Sequence, residues 1–380
     1  MAAELCGTAE VGTQPPPGAV LGLSIGDHDQ LVAHGAAVRL ADRIESYAVD
    51  TRTDAGSVTK IIATTAACLR LVDAGRLSLA DQVGPIIGGT PPAGTTVADL
   101  LEHQAGLWEW QPLYLRAGDH DQAIELINAL PARYPRRSGR HYSDLGFMLL
   151  GAVIEKVTGL PLDLACQELV FSPLGLTATS FGRPVPGVGV AASSTGDRIE
   201  QTMITTGVPY PVEGRVSDFG GWRERLLVGE INDGNSYHAF GSVAGHAGVF
   251  TTAGDLLRFG RVLLDSLAGR GPASAVTTAR FFTTGDDPGQ ALGFRSWATP
   301  VGRAIGHTGY PGIGFAILPE RNAVAVMITN RLHVDGSPRN LETLWLSALD
   351  GMVGVLPSST DPAQISSESA APGTSGSAGP

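Results

Sequence analysis

The strand-like runs of this chain lie at its two ends, so a sheet built from them must bring the ends together. Near the N-terminus, residues 18–26 and 30–34 flank a Gly-Asp-His-Asp turn, which predicts a hairpin. Four more short runs, 292–297, 304–307, 314–318 and 323–329, are separated by turn signals, as in an antiparallel meander. Between these groups the pattern is helical. Ile61, Ile62, Thr65, Leu69 and Val72 recur at helical spacing before Gly75, and Leu145, Leu149 and Val153 predict a second helix over about 144–157. A closing amphipathic helix is expected over 340–356. The simplest packing is an α/β (α+β) fold, an antiparallel β-sheet flanked by helices with a large, mainly helical insertion. Residues 1–55 and 290–356 would form a discontinuous sheet domain and 56–289 a mainly helical one. Residues 357–380, rich in Ser, Ala, Gly, Pro and Thr, read as a disordered tail.

Charge and composition narrow the function. The net charge of −11 over 380 residues argues against a nucleic-acid or anionic-membrane partner. No apolar run approaches the roughly 20 residues that span a bilayer. Residues 1–17 lack the basic and apolar segments of a signal peptide, so a cytoplasmic enzyme is expected. Cys6, Cys68 and Cys166 are too few for a disulfide framework and lack metal spacing. Lysine is almost absent. Lys60 and Lys156 stand alone among a large excess of arginine, and a lysine kept against that bias suits a task that arginine, always charged, cannot perform.

Two apparent motifs are set aside. Gly22-Leu23-Ser24-Ile25-Gly26 fits G-x-S-x-G, but the serine elbow of that motif needs a strand, a sharp turn and a helix, whereas here a second strand follows. The Gly-Asp-His-Asp-Gln segments at 26–30 and 118–122 read as solvated turns rather than metal sites.

Ser57-Val58-Thr59-Lys60 is the strong signal. It opens an apolar helix, and the spacing of three places amine and hydroxyl on one face. The helix N-terminus would favour a neutral lysine able to take the serine proton. Tyr142-Ser143-Asp144 stands at the start of the second helix, and His307-Thr308-Gly309 ends a strand of the meander. In order and spacing these resemble the three motifs of the serine β-lactamases, penicillin-binding proteins and related esterases and acyltransferases. The class C-like branch, with S-x-x-K, Y-x-N and [KH]-[TS]-G, is the nearest match. Residues 99–107, 142–151 and 245–253 resemble loops of the same family, so the likeness covers roughly 18 to 330.

The resemblance implies that Ser57 is an acyl-forming nucleophile, Lys60 its base or proton partner, and Tyr142 a second proton-handling group pushed towards phenolate by the neighbouring ammonium. It implies further that Asp144, His307, Thr308 and Gly309 line the substrate cleft, and that the backbone N–H groups of Ser57 and Tyr310 form an oxyanion hole. His103 and His246, in the family's loops, would order those loops. No metal or cofactor is implied, and the partner is a small-molecule acyl substrate. Two departures bear on that substrate. His307 replaces the usual lysine and removes a fixed cation, unless Arg303 or Arg331 supplies one. Asp144 replaces the usual asparagine, accepts but does not donate hydrogen bonds, and would hold Lys60 charged. Both favour a neutral ester, amide or thioester over a β-lactam or a peptide with a free carboxylate. The expectation is a serine hydrolase acting on small esters or amides. The alternatives are, in order, an acyltransferase using the same acyl-enzyme, a β-lactamase or D-alanyl peptidase, and a catalytically silent ligand sensor.

Overall fold

A computed structural model describes residues 1–7, 12–89, 91–184 and 189–356; the tail expected over 357–380 lies outside the described residues. The two groups of strands meet in one seven-stranded antiparallel sheet. Strands β1 (Gly18–Ile25) and β2 (His28–Arg39) form the hairpin, with β3 (Ile44–Ser46) outside it. The meander comprises β4 (Arg295–Thr299), β5 (Gly302–Gly309), β6 (Ile313–Leu318) and β7 (Ala323–Thr329). The order is β3-β2-β1-β7-β6-β5-β4, so the chain ends join where β1 pairs with β7.

Helices cover both faces. Those that shape the site or the sheet are α1 (Ala66–Asp73), α2 (Asp144–Thr158), α3 (Ala253–Leu267) and α4 (Leu341–Val353). Strand β7 shows why the runs read as continuously apolar. Val324, Val326 and Ile328 enter the large core shared with α1, α2 and α3, while Ala323, Ala325 and Met327 face the smaller core under α4. Residues two apart share a face, so bulky branched side chains meet the broad helical layer and small ones admit the buried Trp345. Each fully buried Val, Leu or Ile contributes about 1.5–3 kcal/mol, so the scaffold stands on apolar burial. Helix α3 belongs to this layer although it lies within the mainly helical stretch, and its Phe259 packs 5.6 Å from Phe315 of β6.

The helix expected from Ser57 starts irregularly. A 3-10 turn over Gly56–Val58 leads into an i→i+5 turn over Lys60–Thr65, and regular α-helix begins only at Ala66. Branched side chains at Thr59, Ile61, Ile62, Thr64 and Thr65 crowd a tight helical turn. Thr64 donates its hydroxyl to the Gly245 carbonyl at 2.6 Å. Among the described residues no single helix is long and apolar enough to cross a membrane.

Candidate active site

The turn before Ser57 is pinned by Asp54. Its buried carboxylate accepts the Gly56 N–H at 2.9 Å and the Asn232 N–H at 2.7 Å, and burial raises its pKa to about 6 against those bonds. Gly56 has φ +49 and lies against the chain just beyond β5. A Cβ there would sit 2.4 Å from Pro311 Cδ, and one at Gly309 would sit 2.2 Å from the Ala55 carbonyl oxygen. Glycine at both positions lets the strand end approach the serine turn.

Ser57 Oγ accepts hydrogen bonds of 2.9 Å from both Lys60 Nζ and Tyr142 OH. Lys60 is wholly buried, and its other N–H groups go to Asp144 Oδ1 at 2.6 Å and the His246 carbonyl at 3.3 Å. An ammonium has three donors and no acceptor, and all three are engaged. Burial alone would lower the Lys60 pKa; the Asp144 charge, with Tyr142, more than reverses this and raises it to about 12. Of the two expectations for Lys60, a neutral amine at the helix N-terminus and an ammonium held by Asp144, the ion pair supports the second. The push towards phenolate expected of Tyr142 is corrected. Its burial raises the phenol pKa more than the Lys60 charge lowers it, and the hydroxyl keeps its proton.

Tyr142 is presented by the start of α2. Ser143 caps that helix, accepting the Gly146 N–H at 3.1 Å and donating its hydroxyl to the Trp108 carbonyl at 2.6 Å. His103 Nδ1 accepts the Ser143 N–H at 3.0 Å, and its ring lies 4.6 Å from that of Tyr142. His246 Nε2 lies 2.9 Å from Asp233. Both histidines thus fasten loops. Asp144 occupies the first helical position, where the free N–H groups favour a carboxylate.

Strand β4 pairs with β5 only as far as Gly306, and beyond that pairing His307 and Thr308 line the cleft while the expected Gly309 does not, being packed against Ala55 instead. Burial, with the nearby Lys60 charge, lowers the His307 pKa to about 3, and its Nδ1 lies 2.7 Å from the Thr308 carbonyl. His307 is neutral, as expected. Two cations line the same cleft, Arg295 and Arg140, the latter paired with Asp287 at 3.0 Å. Arg295 Nη1 is 3.4 Å from Thr308 Oγ1 and pairs with Glu342 at 3.0 Å. Arg303 and Arg331 do not supply the charge. Arg303 donates to the Phe282 carbonyl, and Arg331 is buried, donating to the Tyr310 carbonyl at 2.9 Å.

The cleft has a volume of about 910 Å³. Ser57, Tyr142, Asp144, His307, Thr308 and Tyr310 all line it. The cleft is also lined by residues that sequence reasoning missed, Asp197, Glu200, Asn232 and Asp233, with Trp110, Met203 and Tyr210. Ser24 lies elsewhere, wholly buried within β1 and paired with Asp29 and Val324. His120 pairs with Glu155 at 3.2 Å, and among the described residues no cluster of three or more His, Cys, Asp or Glu could hold a metal ion.

The family model described as Beta-lactamase matches residues 13–350. The protein named "Putative D-alanyl-D-alanine carboxypeptidase" of Escherichia coli (strain K12) is 30% identical over 311 residues, covering 74% of this chain and 69% of that one. The N-acetylmuramyl-L-alanine amidase of Bacillus subtilis (strain 168) is 31% identical over 315 residues, covering 74% and 68%. A class C β-lactamase structure from Rhodobacter sphaeroides superposes with a TM-score of 0.63 at 21% identity, covering 90% of this chain and 95% of that one, a likeness of fold. Matched over most of its length by sequence and by fold, the chain belongs to the β-lactamase family of serine hydrolases.

Proposed function

We propose that this hydrolase cleaves small amides or esters through an acyl intermediate on Ser57. The observation that carries the reading is Ser57 Oγ held at 2.9 Å from both Lys60 Nζ and Tyr142 OH on the floor of an open cleft. Once Tyr142 has lost its proton it takes the one on Ser57 as Oγ bonds to the acyl carbon. Lys60 stabilises the charge passing between them. The oxyanion is met by the backbone N–H groups of Ser57 and Tyr310. Tyr142 then returns the proton to the departing amine or alcohol, and water repeats the sequence to free Ser57.

Arg295, against the Thr308 hydroxyl, extends the substrate class beyond neutral compounds. A guanidinium beside a hydroxyl at the strand edge suits a substrate carboxylate, and the relatives named as carboxypeptidase and amidase support amide cleavage. Transfer of the acyl group to an alcohol or amine is a second reading, favoured by the size of the cleft, which leaves room for an acceptor beside a small acyl group.

The test uses a fluorophosphonate and a p-nitrophenyl ester with intact and peptide mass spectrometry. One adduct on Ser57 is expected, absent from Ser57→Ala, whose ester turnover should fall by at least roughly 10³-fold. An adduct that survives in Ser57→Ala, or none on the unmodified protein, would overturn the reading.

A further inference from the structure

The family pattern has asparagine where this chain has Asp144, and the structure gives that carboxylate a defined partner. Asp144 Oδ1 lies 2.6 Å from a lysine with no solvent exposure. The remaining Lys60 donors are spent on Ser57 Oγ and the His246 carbonyl. Tyr142 also points its hydroxyl at Ser57 Oγ. The resting nucleophile is therefore surrounded by donors, and neither neighbour is ready to receive its proton.

Other charged and titratable groups face this centre from every side. His103 approaches from the loop beneath Tyr142, 4.6 Å ring to ring, and His307 from β5 at 5.9 Å. Burial, aided by the Lys60 charge, keeps both uncharged. Asp233, paired with His246, stands on the 233–246 segment; Tyr210, Arg140 and Arg295 border the cleft further out. Asp144 is the carboxylate bonded directly to Lys60.

We propose that Asp144 is a positioning residue that fixes Lys60 as a permanent ammonium, so that Tyr142 must take the Ser57 proton and acylation begins only after Tyr142 has lost its own. This rests on the acyl-Ser57 reading. The proton balance is closed: Ser57 gives its proton to the Tyr142 phenolate, the leaving group receives it, and Lys60 ends each cycle as it began. The charge on Asp144 also opposes ionisation of Tyr142. Removing it should let Tyr142 ionise at lower pH while Lys60 is still an ammonium, and a Lys60 that has given up its proton becomes a second acceptor for that of Ser57, so either route moves the onset of acylation down.

The scarcity of lysine makes the test direct. With Lys156→Arg as background, protein labelled with ¹³C at lysine Cε gives one lysine signal, that of Lys60, which is titrated from about pH 6 to about pH 11. The rate of Ser57 modification by a fluorophosphonate is followed over the same range. In the parent the Lys60 signal should stay that of an ammonium past about pH 10, and labelling should rise only at alkaline pH. In Asp144→Asn, which keeps the acceptor oxygen without the charge, the Lys60 midpoint should drop. The rising limb of labelling should move down by at least about one unit, making that variant about tenfold faster than the parent at pH 7. Asp144→Glu should keep the parent's limb. An unmoved Lys60 midpoint in Asp144→Asn, or slower labelling at every pH with the limb unchanged, would overturn the proposal and leave Asp144 as scaffolding. A lack of any Ser57 adduct in the parent would instead overturn the acyl-enzyme reading, while the lysine titration would still decide the ion pair.

Discussion

The elements that carry Ser57 and Tyr142 are seated on the apolar core with one ion pair, Lys60–Asp144, between them, whereas the 192–246 segment, whose Asp197, Glu200 and Asn232 line the same cleft, is fastened by a network of buried charges. Val58, Ile61 and Ile62 around the nucleophile are fully buried, as are Leu145 and Phe147 behind Tyr142. In the 192–246 segment Asp197 and Arg223 are 1% and 2% exposed and joined at 2.5 Å, with His238 on the second carboxylate oxygen at 3.0 Å. Arg223 also donates to the Ile231 carbonyl at 2.7 Å, and Glu200 accepts from Tyr114 and from the Gly234 N–H. Apolar burial tolerates small shifts because it has no direction. A buried ion pair fixes atoms to within tenths of an ångström and fails when one partner is lost.

The sharpest way to break this contrast is Arg223→Met. It leaves Asp197 buried with His238 as its remaining side-chain partner and should cost about 3–5 kcal/mol of stability in urea unfolding. The double variant Asp197→Leu with Arg223→Met should recover most of that loss, since the uncompensated charge goes with its partner. A single-variant loss under about 1 kcal/mol would show that the 192–246 segment does not depend on the pair. A smaller effect is expected beside Thr308, outside that segment. Arg295→Gln should raise KM about tenfold for an acyl substrate bearing a carboxylate and leave that for a neutral ester within about twofold. Equal changes for both substrates would remove Arg295 from carboxylate recognition.

What could be read from the sequence follows the same division. The joining of the two ends into one sheet was legible because strand periodicity is local, and so was the meeting of Ser57, Lys60 and Tyr142 at one point, each tied to the start of an element. For Lys60 the sequence pointed both ways, to a neutral amine from the helix N-terminus and to an ammonium from Asp144. A helix terminus offers only about half a unit of positive charge, and here it is a 3-10 turn rather than a regular helix, so the full charge of Asp144 prevails. Arg295 carried a signal that went unused. Counting the β4–β5 hairpin outward from the pair Thr299 and Gly302 places Arg295 opposite Gly306, beside the third motif, and Arg303 opposite Ala298, away from it. The 192–246 segment offered no comparable cue. Its fastenings join Asp197 to Arg223, Tyr114 to Glu200 and Asp54 to Asn232, pairings set by the tertiary fold and invisible to any local pattern.

Glu200 gives the subtlest separation of the two regions. Burial, reinforced by the nearby Asp233, pushes its carboxyl up to about 8, against hydrogen bonds from Tyr114 and the Gly234 backbone. In the unfolded chain the same group titrates near about 4.3. The folded state therefore holds the proton more tightly, and the stability this contributes is complete below about pH 4.3 and is lost as pH rises through about 8. Glu200→Gln keeps a carbonyl for the Gly234 N–H and carries no charge at any pH. It should match the parent in thermal unfolding near about pH 4 and exceed it modestly near about pH 8, with a flatter profile between. A variant that melts lower than the parent at both pH values would mean that the Tyr114 bond needs a carboxylate, and that charge holds this segment together even where it is buried beside another acid.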